Sequence, residues 1–176
     1  MNQAEKKTFV ANDYKEAVVE RAQLSQYLDG YECFGWQAER EPESAGGDMV
    51  RLALKRNRHI LNKVELTRLE RQFEACMDVI QALRASIHGR ATMAALMVAL
   101  LGTAFMAGAT FAVTAAPPIV WLCVVLAVPG FTGWGGAYFV YRRVAKLRAQ
   151  RVEPLIENKR DEIEEVCKKG LALMHG

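Results

Sequence analysis

The rhythm of apolar and polar positions changes several times along this chain, and each change predicts a different element. Asn12 and Asp13 precede Tyr14, Ala17, Val18, Leu24 and Leu28, and Gly30 follows. That spacing predicts a helix capped by the Asn/Asp pair and stopped by the glycine. Tyr31-Glu32-Cys33-Phe34-Gly35-Trp36-Gln37-Ala38 and Met49-Val50-Arg51-Leu52-Ala53-Leu54 then roughly alternate around the breaker-rich Glu41-Pro42-Glu43-Ser44-Ala45-Gly46-Gly47-Asp48. Alternation on either side of a breaker predicts a β-hairpin. A lone hairpin is marginal in water, so it is expected to lean on the first helix or on the stalk that follows.

The stalk has a different period. Leu66, Leu69, Phe73, Cys76, Ile80, Leu83 and Ile87 fall at alternating steps of three and four, the seam of a coiled coil or of one member of an antiparallel helical pair. Asn62 with Glu65 three residues on predicts a capping box. Arg68, Glu70, Arg71, Glu74 and Asp78 are expected to form the solvated side. A second amphipathic segment opens at Pro154, a residue suited to a first helical turn, with Ile156, Ile163, Val166, Cys167, Leu171 and Met174 on one side. The seam is expected to close on this segment, or on a second copy of the chain.

Between these arms the polar rhythm disappears. Residues 91–141 contain no Asp, Glu, Lys, Arg or His. Pro117-Pro118 divides them into halves of about 24 residues, each about 36 Å long at ~1.5 Å per residue, enough to cross a ~30 Å hydrocarbon layer with tilt. Ala95, Ala99, Thr103 and Ala107 on the first half, with Gly102 and Gly108 thinning it further, and Gly130 and Gly133 on the second, followed by Gly136 and Ala137, are the expected helix-packing positions. Pro129 beside Gly130 predicts a kink. Trp121, Tyr138 and Tyr141 suit aromatic anchoring at the two interfaces.

The expected fold class is therefore mainly α and membrane-embedded: a two-helix transmembrane hairpin with a helical stalk and a small N-terminal helix plus β-hairpin. Its expected parts are residues 1–60 (helix and β-hairpin), 61–90 (heptad helix), 91–116 and 117–141 (transmembrane helices) and 142–176 (C-terminal helix).

Charge then supplies an orientation. Residues 1–90 carry 14 Lys/Arg and 14 Asp/Glu, and residues 142–176 carry nine and six, which places the net +3 in the C-terminal arm. Arg84 and Arg90 precede the first span, Arg142, Arg143, Lys146, Arg148 and Arg151 follow the second, and Ala115-Ala116-Pro117-Pro118 is uncharged. Cations stay on the cytoplasmic side, so both termini are expected there, in an inner (cytoplasmic) membrane. Arg90, Arg142, Arg143, Lys146 and Arg148 are the expected contacts for lipid head groups. Lys55-Arg56-Asn57-Arg58-His59 admits three readings: a solvated strand end, a contact for anionic lipid, or a nucleic-acid contact. Nucleic acid is not expected, because no RNA-binding motif accompanies the cations.

Candidate chemistry changes the picture little. Cys33, Cys76, Cys123 and Cys167 are scattered, without metal-ligand spacing, so reduced thiols are expected rather than disulfides or zinc. His59, His88 and His175 are isolated, and no phosphate-binding loop or nucleophile elbow occurs. No cofactor, metal or catalytic residue is expected. The charged first ninety residues do not read as a cleavable signal, and no lipidation signal is expected at Asn2 or in the closing Leu-Met-His-Gly.

Tyr31-Glu32-x-Phe34-Gly35-Trp36, the run from Lys55-Arg56-Asn57-Arg58 to Asn62-Lys63-x-Glu65-Leu66, and Gly102-Thr103-Ala104-Phe105-Met106-Ala107-Gly108 together resemble a group of small, uncharacterised two-pass bacterial membrane proteins over roughly residues 30–170. The resemblance implies a bacterial cytoplasmic membrane and supplies neither an activity nor site residues. The function expected from the whole sequence is a non-enzymatic, self-associating membrane scaffold. The alternatives are a small oligomeric channel, with Thr103, Thr110 and Thr114 as its polar stripe, or an accessory subunit of a membrane complex.

Overall fold

The computed structural model describes residues 11–175. They divide into two units: residues up to Asp78 together with those from Lys159, and residues 79–158. Two long helices, α2 (Lys63–Thr114) and α3 (Val120–His175), contribute to both. The chain is mainly helical, and both helices are long and apolar enough to cross a membrane.

The first unit is built on β4 (Met49–Asn57). Along one edge β1 (Asn12–Glu20) pairs with it antiparallel over its whole length, from Asn12 opposite Asn57 to Glu20 opposite Met49. A strand has only two edges, so the two short strands share the other: β2 (Gln37–Ala38) beside Leu54–Lys55, and β3 (Glu43–Gly46) beside Met49–Arg51. Gly47-Asp48 closes β3 onto β4, with Gly47 at φ +59° and Gly46 at φ +106° beside an irregularity in register. Glycine takes such left-handed angles without penalty. Helix α1 (Leu24–Glu32) connects β1 to β2.

Several expectations fail here, each for a physical reason. Residues 12–20 form a strand, not a helix. Tyr14, Ala17 and Val18 mimic a helical period only because the inward-facing set of the strand includes Asp13, paired with Lys63 at the partly exposed rim, and Lys15, paired with Glu70 and Glu74. Gly30 does not stop α1, which continues to Glu32. Its lack of a side chain serves packing, because a Cβ there would sit 2.2 Å from Cζ of Phe73. The hairpin also shifts: residues 31–36 are the end of α1 and a turn, and the breaker-rich stretch itself contributes β3. Asn62 adopts φ +55°, and its side-chain amide donates to the carbonyl of Leu173 instead of closing a capping box. Finally, α3 runs through both Pro129 and Pro154, so Pro154 lies inside a helix and not at its start.

In the second unit, residues 79–114 of α2 and 120–158 of α3 form an antiparallel hairpin around Ala115–Ile119. The Ala116–Pro117 bond is cis, and the Ile119 N–H donates to the carbonyl of Ala112 at 3.0 Å.

Candidate functional site

Antiparallel pairing of β1 with β4 sets Lys15 opposite Leu54 and Asp13 opposite Arg56. Val50, Leu52, Leu54 and Arg56 alternate along β4 and are all buried, as expected for the covered face of a pleated sheet. The first turns of α2 bring Glu70 and Glu74, one turn apart, onto the same face. The Arg56 guanidinium, 4% exposed, donates to Oε2 of Glu70 at 3.2 Å and to the carbonyl of Phe34 at 3.4 Å. The Lys15 ammonium donates to Oε1 of Glu70 at 2.6 Å and also to Glu74. Tyr31 completes the cluster, its hydroxyl donating to Glu74 at 2.7 Å.

Two cations thus face two carboxylates, with Trp36 as a lid. Its ring lies 4.3 Å from the Arg56 guanidinium carbon and 6.0 Å from Nζ of Lys15. Burial, then the hydrogen bond to Glu74 and its charge, pushes the Tyr31 phenol far above its ordinary range. Burial lowers the Lys15 pKa, but the carboxylates of Glu70 and Glu74 outweigh it and the net shift is upward. Glu70 was expected on a solvated face and Arg56 in a solvated or ligand-binding run. Both are interior partners, which removes Arg56 from the Lys55–His59 cations available to a ligand. Sequence alone gives no signal for such a pair, because its members are 14 residues apart on different elements.

Of the seam residues, Leu66, Leu69, Phe73, Cys76 and Ile80 are buried, while Leu83 and Ile87 are half-buried. Phe73 packs on the rings of Tyr27, Tyr31 and Phe34 at centroid distances of 6.0, 5.7 and 5.8 Å, so part of the seam faces α1. The C-terminal turns of α3 also join this unit. Gln72 donates to Glu162 at 3.4 Å, and Gly170 packs so closely that a Cβ would lie 2.7 Å from the Cys33 carbonyl. One turn earlier, burial and then the neighbouring Cys33 thiol push the Cys167 thiol up to about 12. Burial and a hydrogen bond to Glu162 raise Cys76.

In the second unit the two helices approach each other closely at glycines. A Cβ on Gly102 would come within 2.9 Å of the Gly130 carbonyl, and one on Gly133 within 2.9 Å of the Gly102 Cα. Ala91, Ala109 and Ala112 are buried with them. Ala95 and Ala99 are half-buried and share a groove with Ala137, Tyr138 and Tyr141. Thr103 is exposed and accepts a hydrogen bond from the Trp134 indole at 3.3 Å, and Ala107 is exposed. A strict four-residue ladder advances about 40° per step, so it drifts about 120° around the helix between Ala95 and Ala107. Thr103, Thr110 and Thr114 donate to backbone carbonyls of their own helix at 3.0, 2.7 and 3.0 Å.

The same unit carries a cationic collar. From Val79 to Val152 there is no acidic residue, yet Arg84, Arg90, Arg142, Arg143, Lys146, Arg148 and Arg151 are all present. Arg142 lies 5.8 Å from the Tyr138 ring centroid, and Arg143 and Lys146 are exposed. Exposed Arg90 and half-buried Arg148 line a cleft of about 230 Å³ together with Arg151, Val144 and Leu147.

No protein-family model, no curated protein and no solved structure matches this chain.

Proposed function

We propose that the chain is a two-pass membrane anchor, with both ends on the cytoplasmic side of a bacterial inner membrane. It acts without chemistry of its own, as a self-associating scaffold whose sheet-bearing unit meets a protein partner. One observation carries the membrane reading. The most apolar 18-residue windows of α2 and α3 are only 17% and 6% buried, whereas the core helix of a water-soluble fold is mostly buried. Met93, Met97, Leu101, Phe111, Trp121, Val124, Phe131 and Phe139 all face outward. An apolar surface of that size in water is an aggregation hazard, and in lipid it is the proper exterior. The cations that flank it support the orientation.

The scaffold reading draws on the outer face of the sheet, where Tyr14 and Val18 are exposed above a unit already held together internally. Its test is purification in mild detergent, with size measurement and pull-down from native membranes. Oligomers or a recurrent partner are expected; a monodisperse monomer without partner overturns the scaffold. Solubility without detergent, or labelling of either terminus from outside the cell, overturns the anchor.

A further inference from the structure

The collar cations do not all have the same surroundings. Arg142, Arg143 and Lys146 point into open surroundings, and Arg142 has the Tyr138 ring beneath it. Arg90 from α2 and Arg151 from α3 are exposed as well, but together with half-buried Arg148 they line one cleft, whose apolar wall is Val144 and Leu147. Among the described residues no carboxylate pairs with any of these three arginines. The Nε of Arg148 is buried and has no hydrogen-bond partner. Gathering three like charges is unfavourable, and so is a buried N–H without an acceptor. Arg148 therefore brings two features to the cleft of about 230 Å³ that it lines: its charge, and a guanidinium with one donor still without an acceptor.

We infer that Arg90, Arg148 and Arg151 form a binding site for the phosphate headgroup of an acidic phospholipid. Guanidinium groups match phosphate oxygens in paired hydrogen bonds, which an ammonium does not. Val144 and Leu147 in the same cleft lie in sequence between the uncharged stretch ending at Tyr141 and the two α3 arginines, so the site sets apolar surface beside its cations. Arg90 and Arg148 lie one and seven residues beyond that stretch, at headgroup depth if it spans a bilayer. This inference rests on the membrane reading and adds a defined lipid class and defined residues to it.

The test uses the full-length chain reconstituted with phosphatidylcholine alone, or with phosphatidylglycerol or cardiolipin added. The chain is then extracted in mild detergent, and the lipid it retains is counted by native mass spectrometry. Acidic lipid is expected to be retained and phosphatidylcholine not. Arg90→Gln with Arg148→Gln should reduce retention about tenfold, and Arg90→Lys with Arg148→Lys, or Arg142→Gln with Arg143→Gln, by clearly less. Equal retention of phosphatidylcholine, or equal loss in the two glutamine pairs, overturns the site. Displacement by millimolar inorganic phosphate would also overturn it, since a free anion would then be the occupant. A chain that inserts into vesicles but keeps no acidic lipid defeats only this site. A chain that never inserts defeats the membrane reading itself.

Discussion

The two units use the same pair of helices in opposite ways. In the first, large side chains point inward: Phe73, Leu66 and Met77 are almost wholly covered, and even charged Arg56 and Glu70 are interior. In the uncharged stretch of the second, residues 91–141, the covered positions are Ala91, Ala109, Ala112 and the glycines at 102 and 130, while phenylalanines, leucines and tryptophans face outward; large side chains are covered only nearer the first unit in sequence, at Ile80, Val152 and Ile156. Large groups turn inward where exclusion from water drives burial; on the membrane reading proposed above, close backbone approach is the gain left to residues 91–141. On that reading the exchange of large for small within one continuous helix marks the passage from water to lipid.

The contrast is broken most sharply at Glu70. Glu70→Ala would leave Arg56 buried beneath Trp36 without its carboxylate and Lys15 with only Glu74. Removing one partner of a buried pair costs about 3–5 kcal/mol. Thermal melting in detergent, or limited proteolysis of the sheet unit, should show that loss. A change below about 1 kcal/mol would mean the cluster behaves as an exposed one. Glu70→Leu combined with Arg56→Met is expected to recover most of the stability, because an apolar pair can replace a buried ionic one.

The hairpin offers the next largest effect. Gly102→Leu places a side chain where the Gly130 carbonyl is 2.9 Å from the first added atom. Overpacking of that kind costs about 1–3 kcal/mol. Ala107→Leu, on the exposed side of the same helix, should change nothing measurable in the isolated hairpin. A disulfide-trapping or melting series in detergent separates the two. Equal effects at both positions would show that the packed face is drawn wrongly, or that a second copy covers Ala107.

What was legible in the sequence follows the same division. The uncharged stretch and the seam could be read because each depends on composition and period within one helix. Leu66, Leu69, Phe73, Cys76 and Ile80 are buried as a 3-4 repeat requires. The sheet was misread because its signal was tertiary. Lys15 points into the fold, so β1 lacks the apolar alternation by which a strand is recognised, and only the carboxylates of Glu70 and Glu74 explain it. Gly102 stood beside the expected ladder and not at the centre of the contact, because small residues at four-residue spacing look continuous in sequence and spiral in space. The uneven roles of the collar cations were equally invisible, since Arg90 meets Arg148 and Arg151 only once the hairpin has formed.

A smaller effect tests the cluster through protons. The Lys15 pKa is raised in the folded unit despite the opposing effect of burial, because Glu70 and Glu74 hold its charge. Burial and Glu74 raise Tyr31 further. For both groups the folded state keeps a proton that the unfolded chain releases at about pH 10. Their stabilisation is therefore complete below that pH and declines as pH rises toward the folded values. Stability of the sheet unit should be insensitive to these two groups at neutral pH and fall steadily above about pH 10. Tyr31→Phe should flatten part of that fall, and Lys15→Met the other part, at the cost of leaving Glu70 and Glu74 with one fewer cation. Tyrosinate absorbance followed with a fluorescence unfolding signal gives the decisive comparison: the Tyr31 contribution, obtained by subtracting the Tyr31→Phe spectrum, should emerge only together with unfolding. If it emerges near pH 10 while the unit remains folded, the hydroxyl faces water, and the interior cluster that distinguishes this unit from the hairpin does not exist.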